Sequence, residues 1–209
     1  MHNEILLPEP VRAGGMPLRD ALMTRRSMRV YSPRRFNLED AGDLQRLSDL
    51  LWAGFGYISP KRRSAPSSHN RQETDLYVLL PEGAFRFEPT VPGAAAAGEP
   101  GGGRLIAVAA ADLRAASGAQ DYVGTAAAEI AFVADTAKIT GKSPRGVVET
   151  IYVDTGFISQ NIYLHCASEG MATVVRAMVP KESLATALGL APTQEITLVQ
   201  TVGWKEEEK

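Results

Sequence analysis

Three arginines and a serine fall within five residues at Arg25-Arg26-Ser27-Met28-Arg29, and a polar loop, Ala65-Pro66-Ser67-Ser68-His69-Asn70-Arg71-Gln72, follows further along the chain. Planar guanidinium forks match the oxygens of a phosphate, and a hydroxyl among them adds a hydrogen bond, so the first segment can clamp a phosphorylated ligand. Amide and hydroxyl side chains in the second can hydrogen-bond a flat polar ring or a polyol chain. On residue types alone the first also reads as a solvated basic helix end and the second as a Pro/Ser/Asn turn.

Elements must exist to carry these groups. Residues 1–16 hold Pro8, Pro10, Gly14 and Gly15 and read as an extended arm. Pro17 suits the first turn of a short helix, Pro17–Thr24, which delivers the arginines to a helix-to-loop junction. A second helix is expected from Asn37 as N-cap through Trp52, with Leu44, Leu47, Leu50 and Leu51 as its apolar stripe. Trp52, Phe55 and Tyr57 read as core or interface aromatics. Asp75–Leu80 and Ala84–Glu88 form a hairpin around Pro81-Glu82-Gly83. Residues 89–103 are a low-complexity loop with no Lys-Ser/Thr after the glycines, and so no phosphate loop. Further strands are expected at Arg104–Ala110 and Glu129–Ala134, a long apolar helix at Gly146–Glu169 ending before Gly170, and a short helix at Lys181–Leu188. Met171–Val175 and Ile196–Val202 read as central strands. The fold class is α+β with a mixed sheet.

Composition bounds the rest. A chain of 209 residues with 44% hydrophobic and 22% charged content suits a single globular domain. Its net charge of −2 gives no reason to expect nucleic acid as partner. The single cysteine, Cys166, excludes an intrachain disulfide and reads as a buried thiol, and the scattered His2, His69 and His165 offer no metal-ligand spacing. With no membrane span or signal peptide legible, a cytoplasmic location is expected.

Arg-Arg-Ser-x-Arg, then Pro-Ser-Ser-x-Asn-x-Gln, then Asp154-Thr-Gly-Phe-Ile-Ser-Gln-Asn161 leading into Ser168-Glu-Gly-Met-Ala-Thr-Val-Val175 occur in the order found in the nitroreductase family of FMN-dependent oxidoreductases. The chain resembles that family from about Pro17 to about Lys205, and Asp75–Pro89 is similar to its SagB-type dehydrogenase branch. The resemblance implies a mixed, mainly antiparallel sheet flanked by helices in an intertwined homodimer. The domain would span 17–205, between the arm 1–16 and an acidic tail 206–209. It implies bound FMN passing hydride or electrons between NAD(P)H and a small-molecule acceptor. Arg25, Arg26, Ser27 and Arg29 would contact phosphate and ribityl chain. Pro66, Ser67, Ser68, Asn70 and Gln72 would reach the flavin of the neighbouring subunit. Val174, Val175 and Arg176 lie where backbone amides approach the ring, and Lys205 is a further phosphate contact. Arg34 and Arg35 fall outside the motif and read as solvated.

The chain departs from the pattern in three places. Ala177-Met178 stand where a Glu-Gly pair is common, Gln72 is followed by Glu73-Thr74 where a Trp-type residue is usual, and the tail ends in Glu-Glu-Glu-Lys. The absence of Gly-x-Gly-x-x-Gly favours FMN over FAD. Alternatives are a SagB-type dehydrogenase acting on a peptide-derived substrate and a flavin-binding protein without hydride-transfer turnover. No catalytic acid–base pair stands out.

Overall fold

Along Thr74–Leu80 successive side chains enter different cores: Leu76, Val78 and Leu80 join one apolar cluster, Tyr77 and Leu79 another. A strand whose neighbours point to opposite faces can be apolar throughout only when both faces are covered. The computed structural model, which describes residues 3–93 and 101–206, has this arrangement. In chain order the elements are β1 (Glu4–Leu7), α1 (Leu18–Thr24), α2 (Ala41–Phe55), β2 (Tyr57–Ser59), β3 (Arg62–Arg63), β4 (Thr74–Leu80) and β5 (Gly83–Glu88). They continue with β6 (Gly103–Ala109), β7 (Ala128–Asp135), α3 (Pro144–Ser168), β8 (Met171–Arg176), α4 (Lys181–Ala187) and β9 (Gln194–Trp204). Seven strands form one sheet in the order β1-β6-β5-β4-β7-β9-β8, and β2 and β3 form a separate ribbon. The chain is α+β as expected, and its pairings are antiparallel throughout.

Leu47, Leu51 and Phe55 of α2 and Ile158, Ile162 and Cys166 of α3 pack on one face, while Leu184 of α4 and Leu188 cover the other. Several expected boundaries move for identifiable reasons. The N-cap of α2 is Asp40, whose side chain accepts the Asp43 amide at 2.9 Å, and Asn37 instead closes a turn by accepting the Glu39 amide. The helix then runs on past Trp52. The hairpin loop is Pro81-Glu82, because Gly83 already pairs with Leu80; it takes φ 145, and a Cβ there would meet the Ala109 carbonyl at 2.6 Å. Helix α3 begins earlier than Gly146, at Pro144 behind Ser143, whose hydroxyl accepts the Gly146 amide. Gly170, at φ 69, follows its end.

Two readings are corrected by the topology. Met171–Val175 belongs to an edge strand, not a central one. It reads as buried because the segment after α1 covers it, Met28 N donating to Thr173 O, before running on to the end of β9, where Ser32 N donates to Trp204 O, both at 2.9 Å. Part of the amino-terminal arm is also a strand: β1 pairs with β6, burying Ile5 and Leu7. Beyond it Ser48 binds the Pro8 carbonyl and Ser168 accepts the Met16 amide. Residues 94–100 of the expected low-complexity loop and tail residues 207–209 lie outside the described residues, and Gly103 belongs to β6.

Candidate functional site

The basic segment is fastened to the sheet through Tyr163, a residue sequence reasoning passed over. Helix α1 ends at Thr24, so Arg25 emerges at its C-cap with its guanidinium 5.3 Å from the centroid of the Tyr163 ring. The Tyr163 hydroxyl lies 2.9 Å from Ser27 Oγ and accepts the Val175 amide at 3.0 Å. One phenol on α3 thereby ties the basic loop to the edge strand β8. Its only signal in the sequence was an aromatic with a polar tip on an apolar helix, which needs a hydrogen-bond partner when buried.

Among the described residues Arg25, Arg26, Arg29 and Lys205 have no acidic partner, whereas Arg34, Arg114 and Arg176 each have one. Arg26 and Lys205 line one cavity of 280 Å³ together with Thr24, Met28, Tyr163 and Thr173. Arg26 is steered by bonds to the carbonyls of Met23 and Arg25, both at 2.9 Å. Arg29 points elsewhere, into an open depression with Tyr31, Gln120 and Tyr122. Arg34, read as solvated, stacks 4.1 Å from the Trp204 ring centroid and pairs with the buried Asp43 at 2.7 Å.

The polar loop meets α3 further towards its amino terminus, at Asp154. Ser68 N donates to Asp154 Oδ2 at 2.7 Å, and Asp154 precedes Tyr163 by nine residues, about 14 Å of helix. Within the loop Ser67 Oγ accepts the Gln72 amide, and the Asn70 and Gln72 side-chain amides both donate to the Lys61 carbonyl. Arg63, spread over Tyr57 and Phe55, donates to Gln72 Oε1. His69, Asn70 and Gln72 all take positive φ, near 55, 54 and 51. Three such residues in so short a stretch persist only where surrounding bonds over-determine the backbone. Pro66, Ser67 and Asn70 line a cavity with Arg62 and Arg63. Within one chain, then, the two halves of the expected site are apart.

Arg176 is not available to a ligand. Its guanidinium is buried and bonds Glu129 Oε2 at 2.6 Å, Ser117 O at 2.9 Å and Ser117 Oγ at 3.0 Å, with Thr201 and Gln120 alongside. Burial pushes the Glu129 carboxyl up to about 7, with Arg176 and Thr201 drawing it back. Val174 is a core side chain and the Val175 amide is taken by Tyr163, while the amides of exposed Ala177 and Met178, just past β8, bond no group among the described residues. Cys166 is fully buried, and burial pushes its thiol up to about 12.

Among the described residues no group of three His, Cys, Asp or Glu side chains forms a metal-ligand set, and no helix is long and apolar enough to cross a membrane. A search of curated proteins returns no match. Among solved structures, a presumed nitroreductase from Ralstonia eutropha JMP134 is 33% identical over 99% of this chain and 91% of its own, with a TM-score of 0.83. The same fold recurs at lower identity. The Escherichia coli microcin synthetase McbBCD complex matches at 16% identity over 88% of this chain and 71% of the other, TM-score 0.68. The NADPH:FMN oxidoreductase from Vibrio harveyi, complexed with NAD+, matches at 17% over 91% and 69%, TM-score 0.61. A profile of the nitroreductase family covers residues 22–204, and with the Ralstonia likeness this establishes that the chain belongs to the nitroreductase family and is an oxidoreductase.

Proposed function

We propose that the protein binds FMN at an interface between two copies of the chain and transfers hydride between NAD(P)H and a small-molecule acceptor. The observation that carries this reading is the pair Arg26 and Lys205, cations without acidic partners among the described residues that line one cavity beside Tyr163 and Thr173 of β8, with Arg25 against the Tyr163 ring. Unneutralised guanidinium and ammonium groups drawn round one cavity favour a phosphate. The donor set fits the cofactor, since Ser27 adds a hydroxyl for a polyol chain and the unpaired amides of Ala177 and Met178 can face carbonyl oxygens of a ring.

The cavity of 280 Å³ lies at the lower limit of about 300 Å³ for small-molecule sites, enough for a phosphate and part of its chain. A second copy supplies the missing wall on this reading, its own 66–72 loop closing over the ring. Helix α3 supports that arrangement: opposite its buried stripe it exposes Val148, Tyr152, Val153 and Phe157, and α1 beside it exposes Leu18, Leu22 and Met23. Bound flavin supplies the redox chemistry. This chain's residues hold the phosphate, orient the ring, offer amide donors where negative charge develops and leave one ring face open. The oxidoreductase from Vibrio harveyi, whose name states both NADPH and FMN, agrees with this choice.

The test is the purified protein's visible spectrum, followed by denaturation, chromatography of the released chromophore and anaerobic mixing with NADPH. The expected result is released FMN and rapid bleaching of the bound chromophore. A protein that remains colourless after titration with FMN overturns the reading, and tight FMN binding without reduction makes it a flavin-binding protein without turnover.

A further inference from the structure

The strained loop 66–72 rests on two buried acids. Glu73, directly after the loop, has no exposed surface, and among the described residues neither of its carboxyl oxygens accepts a well-formed hydrogen bond, its own backbone amide alone acting on it weakly as a donor. The side chain within hydrogen-bonding reach is Asp154, itself buried and already accepting the Ser68 amide. Two carboxyl groups attract only when a proton lies between them, because two charges so close and so far from water repel. Among the described residues no cationic side chain is bonded to either. Lys138, on the turn 136–138, spends its ammonium on the Gln72 carbonyl at 3.3 Å, Arg71 reaches the carbonyls of Ser68 and Thr140, and Asp135 meets Glu73 only through its backbone amide. On α3, Thr150 takes the Lys142 ammonium.

We propose that Glu73 and Asp154 share one proton, and that this proton holds the 66–72 loop in its strained form. With Glu73 neutral and donating, Asp154 stays in place to receive the Ser68 amide, and the positive-φ residues that follow are held from below. Loss of the proton sets two carboxylates against each other beneath the loop and releases Ser68. Burial, the main cause, and Asp154 together push the Glu73 carboxyl up to about 7, partly offset by its own backbone amide and by Lys138, so the change falls in the neutral range. The consequence for cofactor affinity rests on the function proposed above: Glu73 is then a positioning residue, acting on bound flavin through Ser67, Ser68 and Asn70.

The test follows Ser68 amide exchange in the cofactor-free protein and FMN affinity, both from about pH 6 to about pH 8.5, for the wild type, Glu73→Gln and Glu73→Leu. Gln carries a donor that pH cannot remove. Relative to Glu73→Gln, the wild type should lose about tenfold in Ser68 protection and in FMN affinity as pH rises, while Glu73→Leu should be weak at both ends. Pairing each pH against Glu73→Gln cancels the intrinsic base catalysis of exchange and the titration of free FMN. Should Glu73→Leu fail to fold, the comparison with Glu73→Gln still decides. FMN binding with identical wild-type and Glu73→Gln profiles overturns the inference and leaves the function intact. Ser68 protection that follows Glu73 in a protein that binds no added FMN at any pH supports the inference and overturns the functional reading instead.

Discussion

At the scale of single residues, Arg176 and Glu129 illustrate how a charge suggested for a ligand can be spent on the fold. The pair is fully enclosed, with Ser117 and Thr201 satisfying the remaining donors and acceptors. Removing one partner strands the other in a low-dielectric interior, so Arg176→Leu should destabilise the protein by about 3–5 kcal/mol, measured by urea unfolding near neutral pH. The same cluster responds to pH in a definite direction. Glu129 titrates at about 7 in the folded chain, above its unfolded value of roughly 4.3, so the native state holds that proton more tightly. Stability from this carboxyl is full below the unfolded value and is lost as pH rises to about 7. Wild type should therefore lose stability relative to Glu129→Gln across that window, and a constant difference between the two would refute the assignment. None of this was legible in the sequence: Arg176 and Glu129 are far apart in the chain, and only the adjacency of β7, β9 and β8 brings them together.

At the scale of elements, α3 is the spine on which both halves of the site hang, Asp154 beneath one loop and Tyr163 beneath the other. Its existence and end were readable from an apolar run closed by Gly170, but its partners were not, since side-chain contacts at Tyr163 are made by segments distant in sequence. Tyr163→Phe keeps the ring beneath Arg25 and removes the hydroxyl that joins Ser27 to Val175. The Val175 amide then loses its acceptor, at a cost of about 1–3 kcal/mol. Urea unfolding should register that loss with helix content unchanged, and FMN affinity should fall with it. The strand β8 teaches the complementary lesson. Apolar, β-branched composition identified the strand correctly but could not place it at the rim, because a rim covered by the 27–32 segment is as dry as an interior position.

At the scale of the whole molecule, one chain holds a small cavity beside Tyr163 and a polar loop against Asp154, two residues separated by about 14 Å along α3, with an apolar strip exposed on the same helix. The motif order made these halves legible, while their separation in space was visible only in the fold. A second copy docked on that strip would complete the site. Phe157→Asp, at a side chain 45% exposed, should yield a folded monomer by light scattering that retains little FMN. A variant that stays dimeric and fully loaded would place the interface elsewhere. The strand Glu4–Leu7 has a separate consequence for handling the protein. By occupying β6 it closes a row of backbone groups that would otherwise recruit strands from other molecules, and its Ile5 and Leu7 plug the core beneath. Shortening the chain past Leu7 would thus uncover a sticky seam and open a path to aggregation, while an affinity tag attached ahead of Glu4 leaves that guard in place.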